Sequence, residues 1–201
     1  MLVLERHLAK AIRDSSDSPR VGVMLPTSGM TPAAVLACWR LGRVPVPLNY
    51  LMSPEDIEFV IRDAEIDVVI TVGKMLEMTG PMPEGVKTLK LDEMSFKGIP
   101  PLIGVKNIPD DEMALLLYTS GTSARPKGVI LTADNLMSNV LQVKEWINIT
   151  TKDCMLGVLP QFHSMGMTVL TLMPLAVGCR IVYSARFLPK KLLELAYFSY
   201  E

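Results

Sequence analysis

Between Tyr118 and Val129 the chain runs Tyr-Thr-Ser-Gly-Thr-Ser-Ala-Arg-Pro-Lys-Gly-Val, a segment that stands apart from ordinary core and loop because it concentrates anion-binding groups. Thr119, Ser120, Thr122 and Ser123 offer hydroxyl donors, Gly121 lets main-chain amides approach a ligand closely, and Arg125 and Lys127 add positive charge. Pro126 stiffens the turn ahead of Lys127. Together these groups suit a polyphosphate. The Walker arrangement is not met, since it needs Gly-Lys followed by Ser or Thr and the order here is Lys127-Gly128-Val129. A helix N-terminus is not the expected anion site either, because the next helical pattern begins only near Thr132, after a strand. Loop amides and hydroxyls would have to hold the phosphate. A Ser/Thr-rich β-turn with no ligand is the competing reading.

The second candidate is the aromatic-histidine pair in Leu159-Pro-Gln-Phe-His-Ser-Met-Gly166, inside a stretch from Cys154 to Cys179 that carries no Asp, Glu, Lys or Arg. On residue type alone, a lone histidine among apolar neighbours is more often a satisfied core residue than a catalytic one. Other chemistries find little support. Gly-x-Ser-x-Gly is absent, and the adjacency of His163 and Ser164 in sequence does not make a dyad. Two histidines and cysteines at 38, 154 and 179 offer no ligand spacing, so no metal held by protein ligands alone is expected. Met165, Met167 and Met173 read as adaptable core rather than a flexible acyl pocket.

The elements that must position these groups alternate between short β-branched runs and helix-period segments, the pattern of a parallel or mixed sheet covered by helices. Strands are expected at Val21–Leu25, Val44–Leu48, Asp67–Val72, Lys87–Leu91, Ala114–Thr119, Gly128–Thr132, Met155–Leu159 and Arg180–Ser184. Helices are expected at Leu2–Arg13, Pro32–Leu41, Pro54–Ala64, Ala133–Ile147, Met165–Val177 and Lys190–Tyr200. Ser53 as N-cap, Pro54 in the first turn and the acidic Glu55 and Asp56 make a strong helix start. The polar loop 120–126 is thus expected to lie between two buried strands. Residues 1–79 read as a first α/β segment, 80–109 as a Pro-rich connection around one short strand, and 110–201 as an α/β segment bearing both motifs.

Composition narrows the function further. With 201 residues, 49% hydrophobic and 20% charged, the chain can build a real core and is unlike a disordered one. Its 20 basic and 21 acidic residues are balanced and scattered, which argues against nucleic acid as a partner. The mean hydropathy of +0.31 makes a membrane span worth testing. Gly157, Pro160, Gln161, His163, Gly166, Pro174 and Gly178 interrupt the uncharged stretch, and Glu5, Arg6, His7 and Lys10 exclude a signal peptide. A soluble, cytoplasmic chain with reduced core cysteines is expected, and peripheral membrane contact is compatible with it.

The Tyr118–Val129 segment resembles the phosphate-binding signature of the acyl-adenylate-forming (AMP-binding) superfamily, usually YTSGTTGKPKGV, departing at Ser123, Ala124 and Arg125. Leu159–Gly166 resembles the next signature, usually LPLFHxxG, and Ala37–Asn49 resembles a segment in which a helix ends at glycine and a strand runs into Val-Pro-Leu-Asn. Asp110, Asp111, Asn135, Leu136 and Asn139 match the flanking pattern, and Ala133 stands where a histidine is common. The resemblance implies part of the large N-terminal domain of an acyl-CoA synthetase-like or acyl-carrier-protein ligase. It implies ATP phosphate binding by Thr119, Ser120, Gly121, Thr122, Ser123 and Lys127, and an acyl-substrate pocket at Phe162, His163 and Gly166. The implied cofactors are ATP with Mg2+, and CoA or a carrier-protein phosphopantetheine as acceptor. The implied substrate is a carboxylic acid, with a fatty acid favoured. The family's catalytic Lys has no counterpart here, so no catalytic residue is assigned, the isolated chain is expected to be inactive, and its uncovered apolar faces are expected to self-associate. The alternative is a non-catalytic nucleotide-binding or interaction module derived from the same fold.

Overall fold

The computed structural model describes residues 1–119 and 125–185. Its first layer is a parallel sheet of β1 (Arg20–Val23), β2 (Val44–Pro47), β3 (Val68–Thr71) and β4 (Lys87–Lys90), ordered β2-β1-β3-β4. Helix α1 (Leu2–Ser15) leads in, and α2 (Met30–Arg40), α3 (Pro54–Asp63) and α4 (Gly73–Thr79) make the connections between strands. Strand β3 explains the layering. Val68 and Ile70 join a core with Leu8, Ile12, Ala34 and Cys38, whereas Val69 joins Val46, Leu48, Val60 and Ile61 on the other side. Both faces are buried, as helix-covered parallel strands require.

Local chemistry accounts for the helix boundaries. The Ser53 hydroxyl accepts from the Asp56 amide and Pro54 fills the first turn of α3. The helix α5 (Ala133–Ile147) opens on a reciprocal capping box between Thr132 and Asn135 and closes on Asn148 in the left-handed region. A buried ion pair ties α1 to α2, with Arg40 donating through Nε to Glu5 and through Nη1 to the carbonyl of Ile103 at 2.7 Å. Glu5 is 1% exposed.

The remaining strands form two separate pairs among the described residues. Strands β5 (Met113–Thr119) and β6 (Lys127–Thr132) are antiparallel, and β7 (Cys154–Gly157) and β8 (Arg180–Tyr183) are parallel. Strand β5 serves two cores at once. Leu115 and Leu117 pack with Leu136, Val140 and Met173, while Leu116 and Tyr118 pack with the β2–α3 core. A register irregularity between Met113 and Leu115 turns Ala114 toward the same core as Leu115, and its carbonyl accepts from the Trp39 indole at 2.7 Å.

Three sequence expectations need correction. β6 is not a buried strand: Val129 and Ile130 are exposed, because β6 pairs with β5 alone and no described element covers it. The helix expected over Met165–Val177 is three pieces, α6 (Ser164–Met167), a π-helical segment (Thr168–Leu172) and α7 (Met173–Val177), which Gly178 ends at φ 78. Of the cysteines only Cys38 is fully buried; Cys154 and Cys179, at the exposed starts of β7 and β8, are half-buried. Helix α4 was not foreseen. The helix expected over Lys190–Tyr200 lies outside the described residues.

Candidate functional site

The segment expected to bind anions is the connection of the β5–β6 hairpin. Thr119 and Lys127 are the last pair of the antiparallel ladder, so they stand side by side at the mouth of the loop. Both are exposed, and Lys127 has no ion-pair partner among the described residues. Ser120, Gly121, Thr122, Ser123 and Ala124 lie outside the described residues.

Both feet of the loop are fastened to α3. On the β5 side the Tyr118 phenol donates to Asp63 Oδ2 at 2.5 Å. Burial, then the hydrogen bond and charge of Asp63, push that phenol above its ordinary pKa and keep it protonated. The Tyr118 ring lies over β6 where Gly128 has no side chain; a Cβ there would stand 3.2 Å from Leu116 Cδ1 and from the ring. On the β6 side the Arg125 guanidinium carbon sits 5.1 Å from the centre of the Phe59 ring. Sequence reasoning placed Arg125 with the phosphate charges and missed Phe59 and Asp63, whose partners lie more than fifty residues away.

The second motif is a tight turn. Its geometry rests on Gly166, since a Cβ there would meet the Pro160 carbonyl oxygen at 2.0 Å and its carbon at 2.7 Å. The His163 amide donates to that same carbonyl at 3.3 Å, and the Met167 amide donates to the His163 carbonyl at 2.8 Å. Phe162 points inward, 5% exposed, and His163 points outward and is exposed. The two rings lie 4.5 Å apart, and Tyr50 meets Phe162 edge-on at 4.8 Å. Burial raises the Tyr50 pKa, and the neighbouring Thr27 side chain partly opposes that rise. The histidine is therefore not the core residue its neighbours suggested.

The structure brings Thr119 next to Lys127 and Phe162 next to His163. No hydrogen bond or ring contact among the described residues joins one pair to the other; Tyr50 links them, packing against the Tyr118 core on one side and Phe162 on the other. Among the described residues no three His, Cys, Asp or Glu side chains cluster in a way that could hold a metal. No described helix is long and apolar enough to cross a membrane.

The model of a family described as AMP-binding enzyme matches residues 5–197. The chain is 31% identical over 181 residues to the mitochondrial malonate-CoA ligase of Homo sapiens, covering 87% of this chain and 31% of that protein. It is 24% identical over 221 residues to the long-chain-fatty-acid-CoA ligase of Bacillus subtilis, covering 88% and 39%. The o-succinylbenzoate-CoA synthetase of Bacillus subtilis, solved with ATP and a magnesium ion, superposes with a TM-score of 0.83 at 26% identity, over 98% of this chain and 41% of that one. The chain spans about a third of the length of the curated relatives it matches.

Proposed function

Because the chain belongs to the AMP-binding enzyme family, we propose that it is the part of an ATP-dependent carboxylate-activating ligase that cradles the nucleotide's phosphates and forms one wall of the acyl site. In that reaction a carboxylate oxygen attacks the α-phosphorus, the bond to pyrophosphate breaks, and a thiol then takes the acyl group as AMP leaves. The observation that carries the reading is the hairpin mouth. A hydroxyl and a cation without an ion-pair partner among the described residues are held together at the base of a hydroxyl-rich loop, which is what stabilising charge on a departing pyrophosphate asks for.

Thr119 and Lys127 fit ATP, with Ser120, Gly121, Thr122 and Ser123 completing the cradle. Magnesium fits as an ion carried on the phosphates, because such ions are commonly bound through substrate oxygens and few protein ligands. Phe162, His163 and Gly166 are assigned to the acyl side. CoA is the favoured acceptor, in keeping with the relatives' names, with a carrier-protein arm as the other thiol source. The uncharged Cys154–Cys179 stretch supports a fatty acid, and the reduced thiols support a cytoplasmic location. Exposed Met137, Leu141 and Trp146 on α5 support self-association of the isolated chain.

The test is Lys127→Ala in the intact ligase, read as pyrophosphate exchange across a panel of carboxylates that includes malonate, o-succinylbenzoate and long-chain fatty acids. Exchange is expected to fall by about a hundredfold with an unchanged thermal melt. Unchanged exchange removes the loop assignment. No exchange with any carboxylate, together with retained nucleotide binding, would favour the non-catalytic module, and the panel's best substrate decides the acyl class.

A further inference from the structure

The turn that presents His163 is held by a buried polar chain centred on Gln161, a residue standing where the signature it resembles has leucine. Gln161 is 3% exposed and both ends of its amide are used. Its Oε1 accepts from the Ser28 amide at 2.9 Å, and its Nε2 donates to Thr171 Oγ1 at 2.9 Å. Thr171, itself fully buried in the π-helical segment, passes the chain on by donating to the Gly166 carbonyl at 3.0 Å. The Ser28 main-chain donor settles which end of the amide is oxygen. A fourth contact, from the Thr27 hydroxyl to the Leu159 carbonyl at 3.3 Å, ties down the start of the turn.

These bonds reach the turn at Leu159, Gln161 and Gly166, on either side of the Phe162–His163 pair, and they come from two different places: the loop before α2 and the π-helical segment. A leucine at 161 could fill the space but would leave the Ser28 amide without its acceptor and the Thr171 oxygen without its buried donor, weakening the hold on the hydroxyl that donates to Gly166. With residue 161 fixed at both ends of its side chain, the backbone has little freedom to turn Phe162 out or His163 in. We propose that Gln161 is a positioning residue: through Ser28, Thr171 and Gly166 it sets the direction in which His163 faces the substrate. This deepens the ligase reading and rests on it only for what His163 faces.

The test needs no turnover. In the 201-residue chain, the Phe162 ring 4.5 Å from that of His163 is expected to displace the imidazole proton resonances by its ring current, and the Phe162→Leu variant supplies their undisplaced position. His7 serves as the internal reference, its own ring lying against Phe96 far from the turn. Gln161→Leu and Thr171→Val are expected to move the His163 signals most of the way to that undisplaced position, while Thr171→Ser, which keeps the hydroxyl, leaves them in place and the His7 signals do not move. His163 signals that stay put in Gln161→Leu and Thr171→Val overturn the proposal. Should Gln161→Leu fail to unfold cooperatively, the Thr171 pair decides alone, and equal His163 positions in its valine and serine variants overturn it. A Gln161-dependent displacement in a chain whose parent activates no carboxylate would keep the positioning role and remove the substrate reading.

Discussion

Replacing Gly166 by alanine asks how firmly the His163 turn is fixed by space alone. Gly166 does not have a positive φ, so nothing in its backbone conformation demands glycine. What demands it is the Pro160 peptide, with a carbonyl oxygen 2.0 Å, a carbonyl carbon 2.7 Å and the Gln161 Cα 3.1 Å from where a Cβ would stand. All three are main-chain atoms, so no side chain can swing away, and the turn itself must open. Overpacking of this kind costs about 3 kcal/mol at the upper end of its usual range. Against that, alanine in a helical turn gains about 1 kcal/mol over glycine. The net is a loss of about 2 kcal/mol, which for a chain of this size lowers Tm by roughly 4–8 °C. Differential scanning calorimetry measures it, with Gly104→Ala as control, because a Cβ at Gly104 meets nothing within 4 Å. The control is expected to stay within about 0.5 kcal/mol of the unsubstituted chain. An unchanged or raised Tm in Gly166→Ala would show that the turn is not built on that contact.

Other expectations concern the anchors around the site. The folded-state pKa values of Tyr50, Tyr118 and Tyr183 are all raised, Tyr183 to about 12. Their stabilisation is therefore complete below the unfolded value of about 10 and is lost as pH climbs toward the folded values. Urea unfolding across that range should show stability falling above about pH 10, less steeply in Tyr118→Phe. Arg40→Ala strands the Glu5 carboxylate in the core, at a cost of about 3–5 kcal/mol in urea unfolding. The double replacement Glu5→Leu with Arg40→Leu should recover most of that loss; no recovery would mean that packing, not charge, sets the cost. Trp146 is 85% exposed on α5, and Leu141→Lys with Trp146→Lys should shift sedimentation of the isolated chain toward the monomer. An unchanged profile would place self-association elsewhere.

Much of the fold is legible in the sequence because its signals are local. Each of the eight described strands lies within two residues of an expected apolar run bounded by Gly, Pro and polar clusters, and α5 spans Ala133–Ile147 between its caps at Thr132 and Asn148. The seven-residue α4 has no side-chain cap and starts on glycine, so it leaves little trace. A π turn over five residues is too short for its wider period to differ from an α-helical one. The exposure of β6 depends on which elements cover it rather than on its own residues. At the site, the hydroxyls and Lys127 stand out by type and spacing, whereas Phe162 and His163 are singled out only by the resemblance of Leu159–Gly166 to a family signature. Asp63, Phe59, Thr27 and Thr171 are not, since each acts through a fold-dependent neighbour.

The two-sided packing of β5 bears on how this protein can change over time. A strand that is polar on both faces can absorb an added residue by slipping, because no buried face specifies its register. In β5 a slip of one position would send Leu116 and Tyr118 into the core that now holds Leu115 and Leu117, and would draw the Tyr118 phenol away from Asp63. Two cores would be mispacked by a single insertion. Length variation between Leu115 and Tyr118 is thereby closed off, and β5 accommodates an irregularity only at its start, between Met113 and Leu115.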